Sequence, residues 1–184
     1  MKTDVKIRKT SLKTQFVASF IAIVCSVALP QIFHIFGKGL GIGTSLGEIF
    51  LPIQIPIIIV GLIAGPVAGA VSGIVAPFVS TLLTGMPLPL MLPIIAFELC
   101  AYGAVAGYLK DKQINGILKV LAVQLSGRVL RGAFIAVLVF AFDYGLDPKI
   151  IYTSSITGAP GIVLQLVLIP VIISAIKKAE KNEM

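Results

Sequence analysis

Charged residues are scarce in this chain of 184 residues: they make up 12% of it, against 57% for hydrophobic residues. A soluble domain carries about a quarter charged residues, so a water-soluble globular fold is excluded. The mean hydropathy of +1.04 agrees with a chain whose solvent is lipid. We therefore expect one integral membrane domain that occupies residues 1–184.

Residues that carry catalytic or metal chemistry are also few, with one histidine, two cysteines and no tryptophan. The chain has no glycine-rich phosphate loop with its lysine, no serine or cysteine beside a histidine and no metal-ligand spacing. Cys25 and Cys100 fall in apolar runs, where a free cysteine serves as a small hydrophobic residue. His34 stands alone and is interpreted as structural or interfacial. The sequence predicts no enzyme, no metal site and no cofactor.

Long apolar runs dominate the sequence and predict an all-α membrane protein. Six runs come close to the roughly 20 residues that a helix needs to cross a bilayer. They are Leu12–Phe33, Glu48–Ala64, Val67–Thr84, Leu90–Leu109, Ile117–Phe142 and Pro160–Ile176. The second run is the weakest, because Pro52 and Pro56 each remove a helical hydrogen bond. No small-residue cleavage site follows the first run, so we interpret it as a retained span rather than a signal peptide.

Basic residues are distributed unevenly between the two sides of these spans. Eleven of the fifteen lie on one side, before span 1, around the loop between spans 4 and 5, and after span 6. The other side carries Lys38 and Lys149. The positive-inside rule therefore predicts six spans with both termini in the cytoplasm, and residues 1–11 and 177–184 as cytoplasmic tails. This asymmetry explains the net charge of +7 without a nucleic-acid partner. A bacterial inner membrane is the expected location.

Two arginines, Arg128 and Arg131, interrupt the fifth span. Placing one guanidinium at mid-membrane costs about 2.5–3.5 kcal/mol, so two of them within one turn require a reason. Their spacing puts them on one helical face, with Gln124 on the same face one turn earlier. We interpret this stripe as a candidate binding site; the alternative is a structural ion pair between helices.

Span 4 supplies the carboxylate that such an ion pair needs. Glu98, followed one turn later by Tyr102, lies at about the same depth as Arg128 when counted at 1.5 Å per residue. Pairing of Glu98 with one arginine leaves the other cation free, and an arginine fork suits a carboxylate ligand. If Glu98 neutralises the pair, a neutral ligand is the better prediction.

The start of span 6 is a second candidate for ligand contact. Ser154, Ser155, Thr157 and Gly158 lead into Pro160, a pattern typical of a helix N-terminus, whose free N–H groups favour an anion. Thr157, Gly161 and Gln165 then recur every four residues and give that helix one polar face. Interhelical hydrogen bonding is the alternative for this face.

Two further patterns concern a lid and a partner. The glycine-rich segment 37–47 suits a flexible loop over a cavity, or an ordinary linker. On span 1, Ala18, Ala22 and Ser26 form a small-residue stripe that lets another helix approach closely. We predict that this stripe docks a partner subunit; the alternative is packing within the protein's own bundle.

Four stretches of the sequence are distinctive together: Leu51–Ile57 (LPIQIPI), Gly61–Pro66 (GLIAGP), Ser80–Pro89 (STLLTGMPLP) and Ala96–Gly103 (AFELCAYG). In these stretches the chain resembles the substrate-binding S components of energy-coupling factor (ECF) vitamin transporters. Chain length, six spans and internal termini are similar as well. The pair Ala18 and Ala22 resembles the alanine motif by which S components dock on the shared transmembrane coupling subunit.

This resemblance implies a high-affinity vitamin binder without enzymatic activity of its own. Its expected partners are a membrane coupling subunit and two ATPase subunits, with the vitamin bound near the outer face. A surplus cation favours a carboxylate, and the absence of tryptophan argues against a site for a large ring system. Pantothenate is the first choice; pyridoxine, folate and a cobalamin precursor stay open. The alternatives from other classes are a structural or assembly protein of the membrane and a small secondary carrier.

Overall fold

A computed structural model describes residues 10–182, which form eight α-helices and, within that range, no strand. The helices are α1 (Leu12–Gly39), α2 (Ser45–Phe50), α3 (Gln54–Ala64), α4 (Pro66–Thr84), α5 (Leu92–Leu109), α6 (Gly116–Phe142), α7 (Ile150–Thr157) and α8 (Ala159–Asn182). Residues 1–9, which carry the basic residues of the predicted N-terminal cytoplasmic tail, lie outside the described residues.

Six segments are long and apolar enough to cross a membrane: α1, α2 with α3, α4, α5, α6 and α8. The predicted all-α class and the six spans are therefore confirmed. Large apolar side chains such as Phe16, Phe20 and Phe140 lie on the outside of the bundle. Exposure of this kind is expected where lipid, rather than water, covers the surface.

The second span is broken, as its two prolines predict. Leu51 adopts a left-handed backbone conformation between α2 and α3, and Pro52 follows it. At the break, the Leu51 carbonyl accepts a turn hydrogen bond from the Gln54 backbone N–H at 3.1 Å. The amide nitrogen of Gln165 on α8 lies 3.4 Å from the Phe50 carbonyl oxygen and 3.3 Å from that of Leu51, and donates to both.

Local signals in the sequence explain where the other helices begin and end. The Ser11 hydroxyl accepts a hydrogen bond from the Thr14 backbone N–H at the start of α1, and the Asn115 side chain accepts one from Ile117 at the start of α6. Between α3 and α4, Gly65 has a φ of 104°, which a residue with a Cβ rarely adopts, and Pro66 then opens α4.

Helix α5 occupies the centre of the bundle and packs against α3, α4 and α6. Its closest approach is to α4, where the backbones of Gly69 and Gly103 face each other with no room for a Cβ on either side. Small residues at such positions are what allow membrane helices to pack without a hydrophobic driving force. Close α4–α5 packing around Gly103, in the C-terminal half of α5, fixes the position of Glu98 in the N-terminal half of the same helix.

Parts of two connecting segments are helical. Helix α1 continues to Gly39 and α2 begins at Ser45, so six of the eleven residues of the glycine-rich segment 37–47 are helical. Between α6 and α8, residues Ile150–Thr157 form the short helix α7. The sixth span begins at Ala159, one residue before the predicted start.

Candidate ligand-binding cavity

A cavity of about 450 Å³ opens at the end of the bundle where α1 ends and α5 begins. This end lies away from Leu12 and Asn182, the described ends of the chain. Ligand cavities in proteins span about 300–1,000 Å³, so the space suits a small organic molecule. Much of its lining is apolar: Leu51, Ile53, Pro87, Leu88, Met91, Ile95, Leu99 and Ile150.

Part of the wall is held in place by hydroxyl groups at the end of α4. The Ser80 hydroxyl donates to the Met86 carbonyl at 2.7 Å, and the Thr81 hydroxyl donates to the Pro87 carbonyl at 3.0 Å. Ser80, Met86 and Pro87 all line the cavity. The segment between α4 and α5 is therefore a cavity wall tethered to the end of α4.

Arg131 and Glu98 form the charged floor of the cavity. Arg131 Nη1 donates to Glu98 Oε2 at 3.0 Å, and both residues line the space. The side chains are 12% and 3% exposed, so the pair is shielded from bulk water. Glu98 lies about 9 Å along α5 from its first residue, at 1.5 Å per residue. A ligand entering from the open end meets this pair at the bottom.

Arg128 shares the same carboxylate but lies behind the wall. Its Nη1 is 3.3 Å from Glu98 Oε1, and its side chain is 11% exposed. None of its three guanidinium nitrogens has a well-aligned hydrogen bond to any residue in the range 10–182. A Cβ added at Gly158 would lie 3.0 Å from Arg128 Nη2 and 2.7 Å from Leu51 Cδ1, so the bare glycine at the α7–α8 junction makes room for this cation.

Two guanidinium groups and one carboxylate leave a surplus positive charge in this cluster. Glu48, the other acidic residue of the cavity wall, is exposed on α2 and forms no ion pair with Arg128 or Arg131 in the described structure. The Nε atom of Arg131 is also buried without a hydrogen-bond partner among the described residues. The cluster therefore has a net positive charge, and Arg131, which lines the cavity and is 12% exposed, is the cation that an anion in the cavity can reach.

Tyr102 orients Glu98 and does not reach the cavity. Its hydroxyl donates to Glu98 Oε1 at 2.8 Å, and the residue is completely buried. The ring lies directly against Gly127 on α6, where a Cβ would overlap it. We predicted Tyr102 as a ligand contact; the structure instead places it behind the carboxylate, where it fixes the side chain that the arginines bind.

The three glutamines of the core form a buried hydrogen-bonded cluster. Gln124 Nε2 donates to Gln165 Oε1 at 2.7 Å, and lies 3.5 Å from Gln54 Oε1. Of these three glutamines, Gln54 lines the cavity, whereas Gln124 and Gln165 do not. We predicted Gln124 and Gln165 as ligand contacts; in the structure their side-chain amides bind each other below the cavity instead.

Thr157 does line the cavity, as the last residue of α7. It does not share a continuous helical face with Gln165, because the chain leaves α7 at Gly158 before α8 begins. Gly161 packs against the backbone of Ile49 and Phe50 and is not part of the wall. Of the predicted polar face, Thr157 therefore lines the cavity, whereas Gly161 packs against α2.

The upper wall contains polar residues that the sequence did not single out as ligand contacts. Gln31 and His34 reach the cavity from α1, with Thr44 and Gly47 from the segment opposite. Gly47 lies close against the His34 ring, where a Cβ would be 2.8 Å from Nε2. One signal was present for Gln54: it is a polar residue between Pro52 and Pro56 in an apolar run. Nothing local marked Gln31.

The small-residue stripe on α1 packs inside the bundle, which corrects the predicted docking surface. Ala22 is 5% exposed in a cluster with Val60, Ala64 and Ala68, and Ala18 packs at the edge of this cluster. Ser26 is fully buried and donates to the Ile53 carbonyl at 3.3 Å. Small residues let α1 approach α3 and α4 closely, so Ala22 and Ser26 are covered by the protein itself, whereas Ala18 is partly exposed and borders a surface groove lined by Lys13, Thr14, Val17 and Ile21.

The two cysteines, Cys25 and Cys100, are free thiols. Within residues 10–182, no three histidine, cysteine or acidic side chains lie close enough together to hold a metal ion. Comparisons with protein-family models, with curated proteins and with solved structures found no match for this chain.

Proposed function

We propose that this protein binds a small carboxylate-bearing solute in the cavity and serves as the S component of an ATP-driven ECF transporter. The observation that carries the proposal is the net positive charge beside the cavity, where Arg128 and Arg131 share the single carboxylate of Glu98 and Arg131 lines the space. An anion that enters the cavity reaches Arg131 directly and gains a charge-assisted hydrogen bond in a shielded setting. Pantothenate is the first candidate for the solute.

The proposed partners and location follow from the resemblance of the sequence and not from the cavity. A transmembrane coupling subunit and two ATPase subunits would supply the energy, in the cytoplasmic membrane of a bacterium with both termini inside. The cavity then opens outward, because it lies at the end of the bundle away from the described chain ends. Co-purification of ATPase subunits with the full chain is the observation expected from this assembly.

The test starts with ligand identification. Protein purified in mild detergent is denatured, and the released small molecules are identified by mass spectrometry; we expect pantothenate in stoichiometric amount. The ligand-free protein is then titrated with pantothenate by calorimetry. Arg131→Gln should weaken binding at least tenfold, because a hydrogen bond to a charged group contributes about 1.5–3 kcal/mol and tenfold corresponds to about 1.4 kcal/mol.

Lys149→Gln is the matched control, since it removes the same charge from an exposed residue that does not line the cavity. It should bind as the unmodified protein does. Unchanged binding by a folded Arg131→Gln protein would overturn the proposed site. Recovery of a neutral vitamin would overturn the proposed carboxylate-bearing solute and leave the S-component proposal in place.

One observation favours a second candidate, a structural role in which the arginines act as an ion-pair staple. Glu98 contacts both arginines, as a staple between α5 and α6 requires. A staple needs no ligand. Protein that releases no small molecule and binds none of the candidate vitamins, yet unfolds when the ion pair is removed, would favour this role.

A further inference from the structure

Ser154 is a polar residue of the cavity wall whose hydroxyl hydrogen is already in use. It lies on α7, is half-buried and lines the cavity. Its hydroxyl donates to the Ile150 carbonyl, one turn earlier, at 2.7 Å. A hydroxyl has one hydrogen to donate and two lone pairs that accept, so this oxygen can still accept a hydrogen bond but has no second one to give. Toward an occupant of the cavity, Ser154 is therefore an acceptor.

Contacts between α6 and α7 place Ser154 beside the charged floor of the cavity. A Cβ built on Gly132 of α6 would lie 3.5 Å from Ile151 Cγ2, and one built on Gly158, just after α7, would lie 3.0 Å from Arg128 Nη2. Both ends of α7 thus lie against the part of α6 that carries the arginines. Ser154 is midway between these two contacts along the chain, and it shares a helical face with Ile151, three residues before it.

This part of the wall therefore combines a cationic donor with a neutral acceptor. Arg131 suits a carboxylate, whereas the Ser154 oxygen suits a group that donates, such as an N–H. In pantothenate, two methylene groups separate the carboxylate from an amide N–H, and both hydroxyls lie beyond the amide. When the carboxylate binds Arg131, the donor nearest to it along the ligand is this N–H.

We infer that Ser154 is a specificity-determining residue, which accepts a hydrogen bond from an amide N–H of the ligand close to its carboxylate. This inference rests on the proposed function. The ligand class it defines is an N-acyl amino acid with a free carboxylate. The corresponding ester is disfavoured, because its bridging oxygen has no hydrogen to donate and turns a lone pair toward the hydroxyl oxygen.

The test compares two probes on three proteins by calorimetry. The probes are pantothenate and its ester analogue, in which an oxygen atom replaces the amide N–H and the rest of the molecule is unchanged. The proteins are the unmodified chain, Ser154→Ala and Ser155→Ala. Ser155 is the matched control because its hydroxyl makes the same kind of bond, to the Ile151 carbonyl at 3.2 Å, but the residue does not line the cavity.

We expect Ser154→Ala to weaken pantothenate binding about three- to tenfold, the loss that one neutral hydrogen bond produces. The ester analogue should bind Ser154→Ala at least as well as it binds the unmodified protein, because no hydrogen bond is lost with it. Ser155→Ala should bind both probes as the unmodified protein does. Alanine is the best helix former, so both variants should stay folded, which thermal unfolding without ligand measures.

The possible failures are distinguishable. If the unmodified protein does not bind pantothenate, the proposed substrate fails and this inference fails with it. If binding depends on Arg131 but is the same in Ser154→Ala, the proposed function stands and the role of Ser154 is overturned. Equal weakening of both probes by Ser154→Ala, or an equal loss in Ser155→Ala, would also overturn it, since the hydroxyl would then not meet the amide N–H.

Discussion

At the scale of single residues, Glu98 holds the charged floor together. It accepts hydrogen bonds from Tyr102 and Arg131 and lies 3.3 Å from Arg128. Three donors converge on one carboxylate that is itself 3% exposed. Because the two arginines have no other anionic partner among the described residues, the charge of Glu98 matters more to stability than its shape does.

We predict that Glu98→Gln, which keeps the shape and removes the charge, lowers the free energy of unfolding by about 3–5 kcal/mol. The reason is that both buried guanidinium groups then lose their counter-ion. Tyr102→Phe is the comparison, since it removes one hydrogen bond to the same carboxylate and should cost about 1 kcal/mol. Thermal unfolding in detergent measures both. Equal losses in the two variants would contradict the assigned role of the charge.

The arginine stripe and Glu98 could be recognised from the sequence because charge inside an apolar run is conspicuous. The pairing of both arginines with one carboxylate was only half predicted, since depth along a helix does not give side-chain direction. Tyr102 illustrates the limit. Its spacing from Glu98 is correct, but whether the hydroxyl turns to a ligand or to a neighbour depends on Gly127 of another helix.

At the scale of elements, α1 differs most from its predicted role. Its stripe of small residues was assigned to a partner, whereas Ala22 and Ser26 are covered by α3 and α4. Spacing alone shows that a helix can be approached closely. It does not show which helix approaches, because intramolecular and intermolecular contacts in a membrane use the same small residues.

Ala22→Leu should therefore damage folding and ligand binding together. The larger side chain has to fit between α1 and the cluster of Val60, Ala64 and Ala68, and overpacking of this kind costs about 1–3 kcal/mol. Val24→Leu is the control, since Val24 is 51% exposed on the same helix and has room for the added methylene. Size-exclusion profiles and pantothenate titration of both variants provide the measurement. Normal binding by Ala22→Leu with loss of ATP-dependent uptake would restore the docking role.

At the scale of the whole molecule, the number of spans was predictable and the shape of the cavity was not. Apolar length sets the count of crossings, which is why six spans follow from the sequence. The shape of the cavity depends on where the helices end, where they break and how they tilt. Gln31, for example, lies within the predicted first span, but its place in the cavity wall depends on how α1 packs beside the break between α2 and α3.

The proposed orientation predicts which residues can be labelled from outside the cell. In a variant with Cys25 and Cys100 replaced by alanine, we place a single cysteine at Lys149 or at Lys112. Both residues are exposed, at opposite ends of the bundle. A membrane-impermeant maleimide should label position 149 in intact cells and position 112 only after permeabilisation. The reverse pattern would invert the topology and turn the cavity toward the cytoplasm.

The break in the second span also has a consequence for the order in which the protein is assembled. The amide that donates to the Phe50 carbonyl belongs to Gln165 on α8, the last of the six described spans. Until α8 has been synthesised and packed, this carbonyl lacks that partner. Span 2 therefore gains this hydrogen bond only after the five spans before α8 have been made. The part of the cavity wall at Leu51, whose carbonyl accepts from the same amide, is thereby completed late in synthesis.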